Sequence, residues 1–551
     1  MLRYQNIVFA HSSSCNSFFM HKFFPLFFIL PLFLFGWAVF NFVQYPMHMQ
    51  FPSPRTETAT PTTQGESVYF SRSTDNLPEA KPSEEVVLKN GDTYAMTVSA
   101  VKKTINGKEI RLLAYNGMLP GPRLRVQQGD EVTILLHNAS DIETTLHPHG
   151  VRVDNAFDGV ADVTQKTIKP GEDFSYKLRF PDAGLFWYHP HVRDDFQQES
   201  GLYANIRVEP RSSAKPAKKS AEEYLFIDDI SLDANGLTPF FQAFTNYALM
   251  GRFGETMMVN WKTDYTLSAQ EGEIKRLYIT NSANTRTFRL TLPGAKIKLV
   301  GSDGGLYERE TFVDELTIAP TERYIVDVFF PKAGSYTLLH STPISQYKLG
   351  DVTVSAGSTD AVQQKEFETL HVQSDVTQEM APLHALVSKS PDKELRLDLD
   401  MGMGGMNHQM MMGTDGDKIE WEDTMPGMNR MMTSENTVWK IIDAQTGKAN
   451  MDIAWTFQQG DLVKIRLYND PRGAHPMQHP IHFHGQRFVV LSTNGVENTN
   501  LVWKDTTLVP SGDTVDLLVE MSNPGTWMAH CHIAEHLHSG MMFEYTVQAK
   551  K

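Results

Sequence analysis

The sequence predicts an all-β protein: three consecutive β-sandwich domains behind an N-terminal membrane segment. A threefold internal repeat carries most of that reading. Gln128-Gly129-Asp130-Glu131-Val132-Thr133-Ile134-Leu135-Leu136-His137-Asn138 is matched by Glu271-Gly272-Glu273-Ile274-Lys275-Arg276-Leu277-Tyr278-Ile279-Thr280-Asn281. It is matched again by Gln459-Gly460-Asp461-Leu462-Val463-Lys464-Ile465-Arg466-Leu467-Tyr468-Asn469. Each copy is a Gly–acid turn and a β-rich run ending in Asn, the pattern of a strand. Each copy also closes alike, at Gly184-Leu185-Phe186-Trp187-Tyr188, Gly334-Ser335-Tyr336-Thr337-Leu338 and Gly525-Thr526-Trp527-Met528-Ala529. Length agrees, since 551 residues hold three to four ordinary domains. Turns are many and long helical periods few.

The elements follow in order. Residues 23–40 carry no charge and are mostly Phe, Leu and Ile. At about 1.5 Å per residue they reach roughly 27 Å, close to a bilayer core. Arg3 and Lys22 precede them and the next basic residue is Arg55, so the charge bias puts the N-terminus inside and the rest outside. No small-x-small cleavage site follows at Val43-Gln44-Tyr45-Pro46, which favours an uncleaved anchor over a removed signal within residues 1–45. Residues 46–85, rich in Pro, Thr and Ser, read as a tether. The repeat then divides the chain into domains at 86–212, 213–365 and 366–551, the last with a Met-rich insert at about 400–433.

Composition excludes several classes. The net charge of −15 argues against nucleic acid as a partner. Only Cys15 and Cys531 are present, too few for a disulfide scaffold, zinc fingers or cysteine-ligated iron–sulfur clusters. Twenty His and 26 Met raise the question of a metal.

The histidines answer it by their spacing. His147-Pro148-His149 and His189-Pro190-His191 stand in the first copy, His482-Phe483-His484 and His530-Cys531-His532 at matching places in the third. On a strand, residues i and i+2 point the same way, so each pair offers two imidazoles to one site. Eight imidazoles exceed the needs of one ion and suit a cluster of several ions shared between the first and third domains. Cys531 points to the opposite face, toward His479 and His536, with Met541 near. Two His, a thiolate and a weak axial Met define a blue-copper electron-transfer site. The bonded path from Cys531 to His530 and His532 links the two sites. A zinc site needs about four ligands and has no use for a redox thiolate path. The scattered His11, His21, His137, His340, His371 and His384 read as ordinary polar residues.

These motifs resemble the multicopper oxidases, which include laccases, ascorbate oxidase and bacterial copper-efflux oxidases. The likeness spans about residues 85–551. It implies three Greek-key cupredoxin-like domains, four coppers and a monomer. It assigns His479, Cys531, His536 and Met541 to a type 1 copper and His147 and His482 to a type 2 copper. His149, His189, His191, His484, His530 and His532 fall to a type 3 pair. The implied reaction is four one-electron oxidations of a reductant coupled to reduction of O2 to water. Asp158 matches an acid that assists oxygen reduction; as a bare sequence feature, Asp158-Gly159 is also a turn. Pro148 stands where the family usually has Trp. Leu537 stands where some bacterial relatives carry a Glu proton donor.

The Met-rich stretch bears on the reductant. Met401, Met403, Met406, His408, Met410, Met411, Met412, Met425, Met428, Met431 and Met432 crowd one segment interrupted by glycines. Thioethers are soft ligands that select Cu(I). The resemblance implies a cuprous oxidase of the periplasm or cell envelope, whose Met insert covers the type 1 site. Met477 matches a substrate-copper Met there, and His475 stands where an acid is usual. A laccase that oxidises phenols is the alternative, and a copper-sequestering envelope protein a second.

Overall fold

The computed structural model describes residues 69–211, 221–357, 361–401 and 418–550. They belong to one unit, Glu66–Lys551. The apolar run at 23–40 and residues 46–68 of the stretch read as a tether lie outside the described residues. The rest of that stretch, to residue 85, packs on the fold, with Tyr69 bridging to Phe241 and Phe70 stacked on Phe196 at 4.0 Å. Among those described, no helix is long and apolar enough to cross a membrane.

The strands pair into sheets, and the sheets into sandwiches. The first has two four-stranded sheets, one ordered Glu85–Val87, Arg123–Gln127, Ala204–Glu209, Gly184–Tyr188, the other Lys108–Tyr115, Thr93–Ile105, Glu131–Asn138, Asp173–Arg179. The middle and last each have a six-stranded and a five-stranded sheet. The five-stranded sheet of the middle domain runs Tyr265–Gln270, Gln346–Ser355, Gly334–Ser341, Phe288–Thr291, Glu315–Ile318. That of the last runs Trp455–Gln458, Met542–Gln548, Gly525–Cys531, His479–Phe483, Thr506–Val509, in the same order. Each sandwich closes over its own apolar core; Trp439, Trp527, Ile481 and Phe543 centre the last. Each large side chain so buried contributes roughly 1.5–3 kcal/mol.

The repeated Gly–acid turn has one backbone cause. Gly129, Gly272 and Gly460 take φ of +84°, +78° and +97°. A side chain is strained there, so glycine starts each strand. The run after it pairs parallel with one neighbour and antiparallel with another in all three copies. The helices Ala361–Glu368 and Ser374–His384 connect the middle sandwich to the last.

Candidate metal centre

The central strand of the last domain, Gly525–Cys531, is buried from Trp527 onward on both faces. Strand alternation sends Trp527, Ala529 and Cys531 into their own core and His530 to the opposite face. Past Cys531, Ile533 opens a short helix, Ala534–His538, whose turn brings His536 back to the sulfur. The chain then reverses so that the Met541 carbonyl accepts the Cys531 N–H at 3.0 Å. His479 arrives on the adjacent strand.

Three donors meet there. Cys531 Sγ lies 3.6 Å from His479 Nδ1 and 3.8 Å from His536 Nδ1, and the two nitrogens are 3.3 Å apart. Met541 is buried in the same core. The indole of Trp439 stacks on His536 at 4.1 Å and stands edge-on to His479 at 4.9 Å. Burial holds His479 near a pKa of about 3 and His536 well below its ordinary value. Both imidazoles are therefore neutral, the form that binds metal. Burial pushes the Cys531 thiol up; a cation is what converts such a thiol to thiolate.

The eight remaining histidines form one buried cluster across the first and last domains. The first two motifs face each other, with His147 N–H donating to the His189 carbonyl at 2.7 Å and His189 N–H returning at 3.2 Å. His482 sits opposite His530 in the last domain. Carbonyls then set the tautomers. His147 Nδ1 donates to Asp158 O at 2.6 Å, His482 Nδ1 to Asp505 O at 2.8 Å, His189 Nδ1 to Pro190 O at 2.9 Å and His530 Nδ1 to Cys531 O at 2.8 Å. In each ring the proton is spent outward and Nε2 keeps its lone pair, the pattern of metal-ligating histidine.

The inward atoms converge. His484 Nε2 and His530 Nε2 are 3.0 Å apart, and His189 Nε2 and His149 Nδ1 are 3.4 Å apart. Nε2 of His147, His191, His482 and His532 is buried with no hydrogen-bond partner. His191, His484 and His530 have donor atoms within 4.8 Å of one another, as do His147, His482 and His484. Orphaned lone pairs facing one another are costly unless a cation joins them. The donor set, imidazoles here and imidazoles with a thiol at Cys531, suits copper. Burial keeps His149, His189, His482, His484, His530 and His532 well below the usual pKa, and His191 near about 3.

Asp158 is both a turn residue and part of this site. Gly159 after it has φ +79°, and a Cβ there would lie 2.0 Å from the Leu146 carbonyl. Yet the Asp158 side chain is fully buried, its Oδ2 accepting from His484 Nδ1 at 3.0 Å while Oδ1 is 3.3 Å from His147 Nδ1. Leu537 packs in a small apolar cluster with Val160 and Met528. The buried carboxyl of that turn is Glu535, which accepts from Thr285 Oγ1 at 3.1 Å and is raised by burial to about 7.

Of the Met segment, Met403, Met406, His408, Met410, Met411 and Met412 lie outside the described residues. Met401, Met425 and Met428 pack on the last domain's core, Met432 is buried, and Met431 is 69% exposed. The segment's C-terminal end is fastened beside the Cys531 site. Asn429 Oδ1 accepts from Met250 N–H at 3.0 Å, and Ala248 N–H donates to the Met432 carbonyl at 3.1 Å. The Ala248 carbonyl in turn accepts from Trp439 Nε1 at 2.8 Å. Met477 is buried. His475 is buried with both ring nitrogens unpartnered, and burial lowers its pKa to about 4.

Sequence reading did not find Asp194, Thr506, Asp505 or Arg323. Asp194 Oδ2 lies 3.5 Å from His191 Nδ1. Asp505 Oδ1 and Thr506 Oγ1 lie 3.0 and 3.2 Å from His149 Nε2. None sits in a histidine motif, and only Asp194 is near one in the chain. His137, His371 and His384 pair with carboxylates away from the cluster.

Sequence profiles of the multicopper oxidase family match residues 97–213, 235–362 and 421–551, more than half of the chain. A multicopper oxidase of Staphylococcus aureus is 27% identical over 447 residues, covering 79% of this chain and 83% of its own. Copper resistance protein A of Escherichia coli is 24% identical, covering 87% of this chain and 95% of its own. The crystal structure of a multi-copper oxidase from Pseudomonas thermotolerans superposes with a TM-score of 0.62 at 27% identity, over 84% of this chain and all of that one. A multicopper oxidase from Campylobacter jejuni described as a metallo-oxidase gives 0.65 at 24% identity, over 87% of this chain and 99% of that one. The chain belongs to the multicopper oxidase family.

Proposed function

We propose that this multicopper oxidase couples one-electron oxidation of Cu(I) to the four-electron reduction of O2 to water. The observation that carries the reading is covalent continuity: Cys531, at the centre of one donor set, is bonded on either side to His530 and His532 of the other. His479, Cys531, His536 and Met541 would hold a type 1 copper, His147 and His482 a type 2 copper, and the remaining six histidines a type 3 pair. Copper bound at these residues supplies the one-electron redox chemistry and the activation of O2. The chain supplies the rest. Its backbone passes charge from Cys531 Sγ to the imidazoles. Asp158, whose Oδ2 accepts from His484 Nδ1 and whose Oδ1 lies 3.3 Å from His147 Nδ1, would assist the reduction of O2 from beside both rings. Burial of all eight histidines excludes bulk water.

Cu(I) as substrate is supported by the described end of the Met segment, fastened over the Trp439 roof. Buried thioethers and the unpartnered His475 are soft and borderline donors. His479 and His536 are 1% and 0% exposed, so a bulky phenol meets no open imidazole edge. Residues 23–40 would anchor the protein, as a monomer, with its oxidase part outside the cytoplasm.

The test is O2 uptake with Cu(I), a phenol and Mn(II), using the wild type and a variant with all ten Met between 401 and 432 changed to Ser. The apparent affinity for Cu(I) is expected to fall at least about tenfold, while phenol turnover holds or rises. Unchanged Cu(I) affinity would return the enzyme to the laccase reading. Copper uptake without O2 consumption would make it a sequestering protein.

A further inference from the structure

The middle domain has no His-x-His pair, yet its Arg323 reaches the histidine cluster. Arg323 is fully buried. Its Nη1 donates to Asp505 Oδ1 at 2.7 Å and its Nη2 to Asp505 Oδ2 at 2.5 Å, while Nε donates to the Leu185 carbonyl at 2.9 Å. The same guanidinium thus touches the first and the last domain. Asp505 Oδ1 in turn accepts from His149 Nε2 at 3.0 Å. The approach is built into the backbone. Gly150, at φ +79°, has no room for a side chain, because a Cβ would stand 2.1 Å from Asp505 Oδ2.

This contact sets His149 apart. His147, His189, His482 and His530 spend Nδ1 on a carbonyl and offer Nε2. His149 spends Nε2 on a carboxylate and offers Nδ1, the atom 3.4 Å from His189 Nε2. A neutral imidazole carries one ring proton, so its outer partner decides which nitrogen is the ligand.

We propose that Asp505, clamped in bidentate fashion by Arg323 of the middle domain, is a positioning residue that fixes His149 as the Nε2–H tautomer and directs its Nδ1 into the cluster. The middle domain then serves the oxygen site as the clamp on that carboxylate. The proposal rests on the copper reading of the cluster for its consequence, but the tautomer itself is read without copper.

The experiment compares wild type, Asp505→Asn and Arg323→Lys. Nitrogen-15 histidine NMR of the copper-free protein reads the His149 tautomer, and copper per chain with the blue absorption reads loading. Both variants should shift His149 from one tautomer to a mixture. Affinity for copper at the cluster should fall about 10- to 100-fold, with the blue absorption of the Cys531 site retained. Arg323→Lys keeps the charge but loses the fork, so it reports even if Asp505→Asn fails to fold. A lower melting temperature with unchanged tautomer and copper loading would make the pair a structural rivet and overturn the proposal. A shifted tautomer with full loading would equally overturn its role at the cluster. A protein that binds no copper in any form, yet shows the single tautomer in the wild type, would sink the copper reading and leave the clamp standing.

Discussion

In the last domain Ile481 faces Cys531 across an antiparallel pair, with His479 two residues earlier and Thr507 on Ile481's other side. In the middle domain the matching strands bring Leu290 opposite His340, with Phe288 two residues earlier and Leu316 on the other side. The strand order of the two sheets is the same. His340 therefore holds the place of Cys531, and Phe288 the place of His479. The Phe288 and His340 rings meet at 4.9 Å, and His340 Nδ1 accepts the Arg289 N–H at 3.0 Å. One scaffold thus carries a thiol between two imidazoles in one copy and a lone imidazole against a phenyl ring in the other. The sandwich supplies the register, and a handful of side chains decides whether that register becomes a metal centre.

The harshest way to break the contrast is Cys531→Ser. It should abolish the blue absorption and reduce O2 uptake to background while leaving circular dichroism unchanged. A variant that stays blue would remove the thiolate from the site.

Next comes the shared cluster. His147→Ala or His482→Ala should leave the blue band intact and stop O2 reduction, because each empties half of a site contributed by two domains. Full turnover in both, at full copper loading, would mean that the two domains act independently.

Acid should act on both regions more gently, since burial also lowers His340 to about 3. Burial holds His191 and His479 at about 3 and His475 at about 4, against about 6.5 in the unfolded chain. The unfolded chain then binds protons that the folded chain does not, so stability rises with pH in this window. The copper-free protein should lose stability steadily as pH falls from about 6.5 toward 4. Urea midpoints at several pH values test this, and a flat profile would contradict the buried, neutral state of these rings.

The smallest effect is expected in the middle copy. His340→Leu should leave copper content and turnover within about twofold of wild type and cost about 1–3 kcal/mol, since the Arg289 N–H loses its acceptor. Lost copper or turnover in a folded variant would give the middle domain a redox role.

The histidine motifs were legible because their logic is local. Alternation along a strand puts His530 and His532 on one side and Cys531 on the other, wherever the strand is placed. The three glycine turns were legible for the same reason. Asp158 was visible only through family likeness, since an Asp-Gly pair is equally a turn. Asp505 left no sign at all. Its neighbours Lys504 and Thr506 form no motif, and its partners Arg323 and His149 lie far away in the chain.

What the sequence by itself determined is the donor chemistry and the repeat, because both depend on residues within a few positions of one another. Only the tertiary structure decided which imidazole nitrogen faces inward. It decided that Trp439 roofs the Cys531 site, and that a carboxylate 356 residues from His149 reaches its ring. Those contacts come from packing three domains against one another, and the hydrophobic and polar surfaces that dock them carry no local sequence period.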